Sequence, residues 1–340
     1  MRSSATYLGI DIGSASLKLV ELRSAAGVPE LVTYGIAELP LAEPGSTRPS
    51  IEAIGDTLAA LYKEMNASAK KCYSALSSDE IFTSIISLPK LKKKEFMPVV
   101  EEEAAKLLSR PVNEMVLDPQ ILEDASDTTT QRVLLVAAPK ELVERYEAIF
   151  KRAKLELLGL ETEGFALVRS LVGRDRVGVC VVDFGASTTD ITVIADGTPY
   201  FNRSLTLGGR NLTLAMRDIL GLSLEDAEQV KRDVGLQASE HGQPPDVLLK
   251  IIKPIAEEIR YTLQLFREQT GRNVEKIILS GGSAMLAGFA EYLETTLKMR
   301  TYIGDPWARV RYPLELKSLL ELSASRYGVA VGLAMRPLKP

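Results

Sequence analysis

The sequence contains very little histidine and cysteine. Of its 340 residues, one is a histidine, His241, and two are cysteines, Cys72 and Cys180. These are too few for a Cys/His zinc site, and they leave little material for a Ser-His-Asp or Cys-His catalytic group. The wide separation of the two cysteines favours a reducing compartment over a disulfide scaffold. Any hydrolysis would therefore use carboxylates, hydroxyls, lysines and a bound metal. His241 itself lies in a polar stretch that is predicted to be an exposed loop.

The sequence also lacks a large excess of charge and a long apolar run. Its 41 basic and 45 acidic residues give a net charge of −4, so nucleic acid is not an expected partner. Its apolar runs fall well short of the ~20 residues that cross a bilayer. The segment Met1–Thr6 leads directly into a predicted strand and offers no apolar region of a signal peptide. We therefore expect a cytoplasmic protein.

Two strand-turn-strand segments of the same pattern lie 172 positions apart, counted from Asp11 to Asp183. The first consists of Tyr7–Gly13 and Ser16–Leu22 and is followed by a third strand at Glu30–Glu38; the second consists of Val177–Gly185 and Thr189–Ile194 and is followed by a strand at Thr198–Thr206. Because helices follow each copy, the repeat predicts an internally duplicated α/β protein with a cleft between its halves.

The segment 77–157 interrupts the first half and is predicted to fold as a β-α-β-β-α-β module. Its strands are predicted at Glu80–Leu88, Met115–Leu122, Arg132–Ala138 and Leu155–Leu160, and its helices at Glu95–Leu108 and Lys140–Ala153. The rest of the chain is then divided into a first half (1–76, 158–176 and 323–340), a second half (177–206 and 271–322) and a helical part of the second half (207–270).

Each repeat places an Asp-x-Gly group at the end of a strand, at Asp11–Gly13 and at Asp183–Gly185. A single Asp-x-Gly group more often indicates only a tight turn, in which aspartate and glycine are favoured for backbone reasons. Two copies, each after a strand and each followed by small hydroxyl residues, favour a phosphate site, because glycine lets the backbone approach an anion and turn N–H groups bind its oxygens. The two aspartates would hold the waters of a Mg²⁺ ion, and Lys18 would add a positive charge.

A third glycine-rich segment follows the predicted strand Lys276–Leu279. Gly281 and Gly282 have no side chains, so the backbone before the next helix is accessible and a flat adenosine could lie against it. The two standard nucleotide motifs, Gly-x4-Gly-Lys-Ser/Thr and Gly-x-Gly-x-x-Gly, are absent, so neither a P-loop enzyme nor a Rossmann dehydrogenase is supported.

In this order, the three motifs resemble those of the actin/Hsp70/sugar-kinase ATPase superfamily. The resemblance implies an actin-like, ribonuclease H-like duplicated α/β fold of two domains that binds ATP and Mg²⁺, the metal being held through water by Asp11 and Asp183. It places nucleotide contacts at Gly13, Ser14, Ala15, Ser16, Lys18, Gly185, Ala186, Ser187, Thr188, Gly208, Gly209, Asn211, Glu257, Arg260, Gly281, Gly282 and Ser283. Glu163 is similar to the residue that orients the attacking water, with Glu161 as the alternative.

Within the superfamily, the chain resembles the PilM family of type IV pilus assembly. The resemblance lies in Gly9–Glu21, in the position of the FtsA-type insert, and in Ile86–Pro89, Leu134–Ala138 and Gly208–Thr213. It implies that the N-terminal cytoplasmic tail of a single-span inner-membrane protein, PilN, binds in a groove between the insert and its host and holds the chain at the membrane. It also allows self-association and contacts with pilus motor components.

Two other functions within the superfamily are weighed against this one. An FtsA-like division filament protein shares the position of the insert, but Arg336–Pro340 contains two prolines in five residues and cannot form that protein's amphipathic membrane helix. A small-molecule kinase would need a specific base for its substrate near the cleft, and no further Asp-bearing loop identifies one.

Overall fold

The computed structural model describes residues 5–25, 27–40, 48–122, 129–237 and 246–338. The predicted loop around His241 and the last two residues of the chain lie outside these ranges. None of the helices within them combines the length and the apolar character needed to span a bilayer.

The described residues form three sheets surrounded by helices. The strands are β1 (Thr6–Ile12), β2 (Ser16–Ala25), β3 (Val28–Glu38), β4 (Lys71–Leu76), β5 (Phe82–Pro89), β6 (Met115–Leu122), β7 (Thr130–Pro139), β8 (Glu156–Thr162), β9 (Gly178–Phe184), β10 (Thr189–Ala195), β11 (Thr198–Leu205), β12 (Val274–Ser280) and β13 (Thr301–Ile303). The helices are α1 (Ile51–Glu64), α2 (Lys93–Leu107), α3 (Lys140–Arg152), α4 (Glu163–Leu167), α5 (Gly209–Leu220), α6 (Leu224–Val234), α7 (Asp246–Thr270), α8 (Phe289–Leu297), α9 (Lys317–Ser323) and α10 (Gly328–Met335).

The two large sheets have the same topology, with strand orders β3-β2-β1-β4-β8 and β11-β10-β9-β12-β13. In each sheet, two hairpins supply three antiparallel strands, and two further strands add in parallel after helical crossovers. The registers also correspond, since Asp11 lies opposite Lys18 in the first hairpin and Asp183 lies opposite Asp190 in the second. The predicted internal duplication is therefore confirmed.

The inserted module is smaller than the sequence predicted. Its sheet has the order β5-β7-β6, and α2 covers it with Val100 and Ala104. The last predicted strand of the module, β8, instead pairs in parallel with β4, and α3 buries its apolar face against α1 in the core of the first half. The expectation that residues 140–157 complete the module is corrected: a parallel neighbour of β4 requires a helical crossover, and α3 provides it. We propose that the module ends near Pro139 and otherwise keep the predicted division as a proposal.

Two helices connect the halves and cross at small residues. α4, which continues as a π-helical turn to Val172, packs Ala166 and Leu167 in one cluster with Val179 of the second sheet. α10 crosses it so closely that a Cβ on Gly332 would lie 1.9 Å from the carbonyl oxygen of Ala166. Only glycine allows this approach, so the two backbones define the position of one half relative to the other.

Candidate functional site

A cleft of 1540 Å³ lies between the halves, where the strands that carry the three glycine-rich motifs end. It is lined by both hairpin turns, by the segment after β12 and by parts of α5 and α6. The residues that the sequence predicted for the site and that line the cleft are Asp11, Gly13, Ser14, Ala15, Ser16, Lys18, Glu163, Asp183, Gly185, Ala186, Ser187, Thr188, Gly209, Gly281, Gly282 and Ser283.

The two hairpin turns have the same local geometry. The amide of Gly13 donates to the carbonyl of Ser16 at 3.1 Å, and the amide of Gly185 donates to the carbonyl of Thr188 at 2.9 Å. Each bond closes a tight turn whose small middle residues face the cleft. Backbone and hydroxyl donors of both turns are therefore available to an anion placed between them.

The charges beside the two turns differ. In the first hairpin, the ammonium of Lys18 lies 3.1 Å from the carboxylate of Asp11. In the second, Asp183 faces another carboxylate, Asp190, and burial together with Asp190 raises the pKa of Asp183 to about 7. Burial also raises the pKa of Asp190 to about 6, and its buried Oδ1 has no hydrogen-bond partner among the described residues. Among the described residues, no three acidic, histidine or cysteine side chains lie close enough to hold a metal ion directly. These oxygens would therefore bind a divalent cation through its waters.

Glu163 is the first residue of α4, and its carboxylate enters the same acidic cluster. Its Oε2 accepts two hydrogen bonds from Ser78, from the amide and from the hydroxyl, each at 3.2 Å. Burial and the carboxylates of Asp190 and Asp183 raise the pKa of Glu163 well above its usual range. The alternative residue, Glu161, lies outside the cleft and pairs with two arginines, Arg169 and Arg336. The geometry therefore favours Glu163 for a role in the cleft.

The third motif packs directly on the second hairpin. Gly281 has a φ of 89°, and a Cβ there would lie 2.4 Å from Oδ1 of Asp183. The hydroxyl of Ser283 donates to the carbonyl of Gly185 at 2.9 Å. Glycine is needed at position 281 both for the left-handed backbone and for the close approach to Asp183.

Four predicted site residues are not among those lining the cleft: Gly208, Asn211, Glu257 and Arg260. Asn211 instead caps α5, since its Oδ1 accepts from the amide of Gly208 at 2.8 Å. Glu257 and Arg260 are exposed on α7, and Arg260 donates to the carbonyl of Thr296 at 3.2 Å. Neither residue is among those that line the cleft, and α7 buries its apolar face in the core of the second half. Their contact with adenosine stays a prediction.

The cleft also contains residues that the sequence analysis missed. Asp190 had a recognisable signal, since it follows Asp183 by the same spacing as Lys18 follows Asp11. Glu228 and Lys231 of α6 also line the cleft, and the buried ammonium of Lys231 donates to Glu228 at 2.6 Å and to the carbonyl of Gly209 at 3.3 Å. The spacing of Glu228 and Lys231 places both side chains on one face of α6. Many solvent-exposed helices have the same spacing of charges, so the sequence did not identify these two residues as part of the cleft.

A second cavity, of 360 Å³, forms a groove between the inserted module and the first half. Its lining residues come from β4, β6, β7, β8, α3 and α4: Leu76, Val116, Asp118, Gln120, Val136, Ala138, Val143, Glu147, Leu157, Leu158, Gly159, Leu160, Glu161, Thr162 and Phe165. β6 and β8 are edge strands of their sheets, and both line this groove. Two lining residues, Val116 and Leu158, are 43% and 40% exposed. The groove thus offers an apolar floor between two sheet edges.

Two sheets of identical topology, with matched turns facing one cleft and two crossing connecting helices, define an actin-like ATPase fold. Within this fold, the chain belongs to the PilM family: the family model described as type IV pilus assembly protein PilM matches residues 9–338. The family resemblance that the motifs indicated is confirmed.

Comparisons with individual proteins agree with this placement. The structure is similar to a chain of a PilM-PilN type IV pilus biogenesis complex, with 27% identity, a TM-score of 0.87 and 100% coverage of both chains. MreB5 of Spiroplasma citri bound to ADP shares the fold, with 15% identity, a TM-score of 0.53 and coverage of 96% and 94%. Among curated sequences, cell division protein FtsA of Rhizobium meliloti (strain 1021) is 25% identical over 229 residues, 60% of this chain and 50% of the relative. The chain thus spans about half the length of the first curated relatives it matches.

Proposed function

We propose that this chain is a cytoplasmic ATP-binding protein of type IV pilus assembly that binds the N-terminal tail of PilN. In this role it links the pilus alignment complex at the inner membrane to the motor side in the cytoplasm. The observation that carries the nucleotide part is the pair of matched turns that face one cleft. The peptide part is supported by the groove and by the similarity to a chain of a PilM-PilN complex.

The cleft suits ATP in three places. The two turns would hold the phosphates with their amides and hydroxyls, and Lys18 would add charge. Asp11 and Asp183 would hold Mg²⁺ through water, with Asp190 beside them; the buried and unpartnered Oδ1 of Asp190 fits such an ion. The metal would neutralise phosphate charge. The adenosine would lie against the bare backbone at Gly281, opposite α6.

The groove suits an extended peptide. Either of the sheet edges β6 and β8 could pair with a peptide backbone, while the apolar floor would accept alternate side chains. Asp118 and Glu147 line the groove, so a tail with a basic residue near its apolar anchors would fit best. A partner that spans the inner membrane once would then hold this chain at the cytoplasmic face. Self-association and contacts with motor components remain part of the proposal.

Two titrations test the function as a whole. We expect calorimetry to show one site for ATP, which requires Mg²⁺ and discriminates against GTP, and one site for a synthetic peptide of the PilN cytoplasmic tail. Chelation of Mg²⁺ with EDTA should weaken ATP binding and leave peptide binding intact, because the two cavities have different linings. An absence of ATP binding would refute the nucleotide part, and an absence of peptide binding would refute the partner.

Turnover of ATP, where it occurs, should depend on Glu163. The substitution Glu163→Gln keeps the acceptor for Ser78 but removes the base, so phosphate release in single turnover should fall about 100-fold or more while the affinity for Mg-ATP changes little. The parallel variant Glu161→Gln should keep its turnover, since Glu161 faces the groove. Wild-type turnover in Glu163→Gln would move the role to Glu161 or to water alone.

A further inference from the structure

Four exposed lysines cluster at one end of the inserted module. Lys90 follows β5, and Lys92, Lys93 and Lys94 lead into α2; we call these four residues the lysine patch. Among the residues that the structure describes, none of the four ammonium groups has an ion-pair partner, whereas Lys106 at the other end of α2 does have one. The lysine patch is therefore uncompensated positive charge on a chain whose net charge is −4.

The folding of α2 does not account for these lysines. The N-terminus of a helix carries a partial positive charge, so acidic residues stabilise its first turn and basic residues destabilise it. α2 instead begins with Lys93 and Lys94, and Lys92 is its N-cap residue. The carboxylate in this turn, Glu95, is used by the backbone, since it accepts from the amide of Lys92 at 3.4 Å. A local sequence that opposes helix stability indicates a functional surface.

The lysine patch lies at the end of the module that is remote from the rest of the first half. β5 begins at Phe82, shortly after Ser78, which bonds to Glu163 of α4. The eight residues of β5 then carry the chain about 23 Å further. β6 runs in the same direction as β5, because both are antiparallel to β7, so the groove residues from Val116 to Gln120 lead towards the same end. A surface that faces this end of the module meets the lysine patch first.

We propose that the lysine patch binds the surface of an anionic lipid bilayer directly, with the N-terminus of α2 directed at the membrane. Lysine is a compact charge on a flexible stem, which suits a diffuse negative surface, whereas arginine suits bidentate pairing with a single carboxylate or phosphate. Met97, 38% exposed and one turn after Lys93, adds an apolar side chain that enters the interface. Glu101 lies about 10 Å along the helix from Lys94, so an end-on contact keeps its charge about one Debye length from the lipid.

This contact goes beyond the proposed function, because it needs neither the peptide nor the nucleotide. Each lysine near an anionic surface strengthens binding about fivefold, so the lysine patch alone gives a weak and reversible attachment. A chain that a membrane partner already holds would use the same patch at a high effective concentration of lipid. The lysine patch would then set the orientation of the module relative to the membrane.

The test is co-sedimentation of the full chain with large unilamellar vesicles that contain no protein. The wild type should bind vesicles of equal parts phosphatidylglycerol and phosphatidylethanolamine, and it should not bind vesicles of phosphatidylcholine. Raising the salt from 0.1 to 1 M shortens the Debye length from about 10 Å to about 3 Å and should release the chain.

Neutralisation of the lysine patch should lower the partition coefficient onto the anionic vesicles about 100-fold or more. The neutral variant combines Lys90→Gln, Lys92→Gln, Lys93→Gln and Lys94→Gln. Arginine at the same four positions keeps the charge and should retain binding. A control variant changes the net charge equally at four exposed lysines that line neither cavity, and it should bind like the wild type. It combines Lys63→Gln, Lys151→Gln, Lys250→Gln and Lys253→Gln.

Several results would overturn the proposal. Absence of wild-type binding to the anionic vesicles, or equal binding to the neutral ones, would exclude a charged lipid surface as the ligand. Undiminished binding by the neutral variant, or an equal loss in the control variant, would show that the lysine patch is not responsible. Binding of a polyglutamate peptide without binding of vesicles would assign the patch to an acidic protein. A thermal unfolding midpoint like that of the wild type shows that each variant is folded.

Discussion

Replacement of Asp183 by asparagine should abolish Mg-ATP binding and at the same time stabilise the empty protein. The asparagine has the same shape but cannot carry the charge that holds the waters of the metal, so we expect affinity to fall about 100-fold or more. In the empty protein, Asp183 is half-buried beside Asp190 and close to Asp11, and desolvation together with these carboxylates disfavours its charge. Calorimetry and chemical denaturation of the same variant measure the two opposite effects.

The pH dependence of the free energy of unfolding tests the expected stabilisation of the empty protein by Asp183→Asn. Burial raises the pKa of Asp183 from 3.8 to about 7 in the folded protein. Between these values the folded state keeps a proton that the unfolded chain has lost, so stability falls as the pH rises from about 4 to about 7. Asp183→Asn has no such loss. Its free energy of unfolding without ligand should match the wild type at pH 4 and exceed it by about 2 kcal/mol or more at pH 8.

An exposed aspartate serves as the matched control. Asp218 pairs with Arg217 on the surface of α5, with 62% of its side chain exposed. Asp218→Asn should leave nucleotide affinity unchanged, because its carboxylate is exposed and does not line the cleft. If Asp183→Asn bound Mg-ATP as tightly as the wild type does, phosphate and metal could not lie between the two turns.

A negative charge placed in the groove should abolish binding of the PilN tail. Val116→Glu puts a carboxylate on the apolar floor, where an apolar anchor of the seated peptide would remove it from water, while the basic residue of the peptide is already placed by Asp118 and Glu147. We expect the affinity for the tail peptide to fall about 100-fold or more, while Mg-ATP affinity without peptide stays within about twofold of the wild type. Calorimetry with each ligand alone measures both. Val116 is 43% exposed in the free protein, so the substitution should leave the fold intact.

The same strand provides the control for this variant. Ile121 also lies on β6 and is 56% exposed, but its side chain points to the other face of the strand and does not line the groove. Ile121→Glu should therefore bind the peptide like the wild type. Equal losses in both variants would indicate a general disturbance of β6, and undiminished binding by Val116→Glu would place the partner on another surface.

The larger part of the cleft could be predicted from the sequence because its motifs are local. A strand, a tight turn and a returning strand specify their own hairpin, and the turn residues Gly13 and Gly185 are identifiable without knowledge of the rest of the fold. The repeat then indicated that two such turns belong to two similar halves. The sequence did not show that Glu257 and Arg260 on α7 lie outside the lining of the cleft. An amphipathic helix shows which face is buried but not which cavity its polar face reaches.

The sequence by itself determined the duplicated α/β architecture, the family and the turns that face the cleft, since each is recognised from short motifs whose residues are close together in the chain. Only the tertiary structure decided that β8 joins β4, and thus that the groove lies between two sheet edges. It also decided that Ser78 meets Glu163, 85 positions away, and that α6 lines the cleft. The physical reason is that hydrophobic periodicity shows that a strand or helix is buried but does not identify its partner, which depends on how the whole chain fills its core.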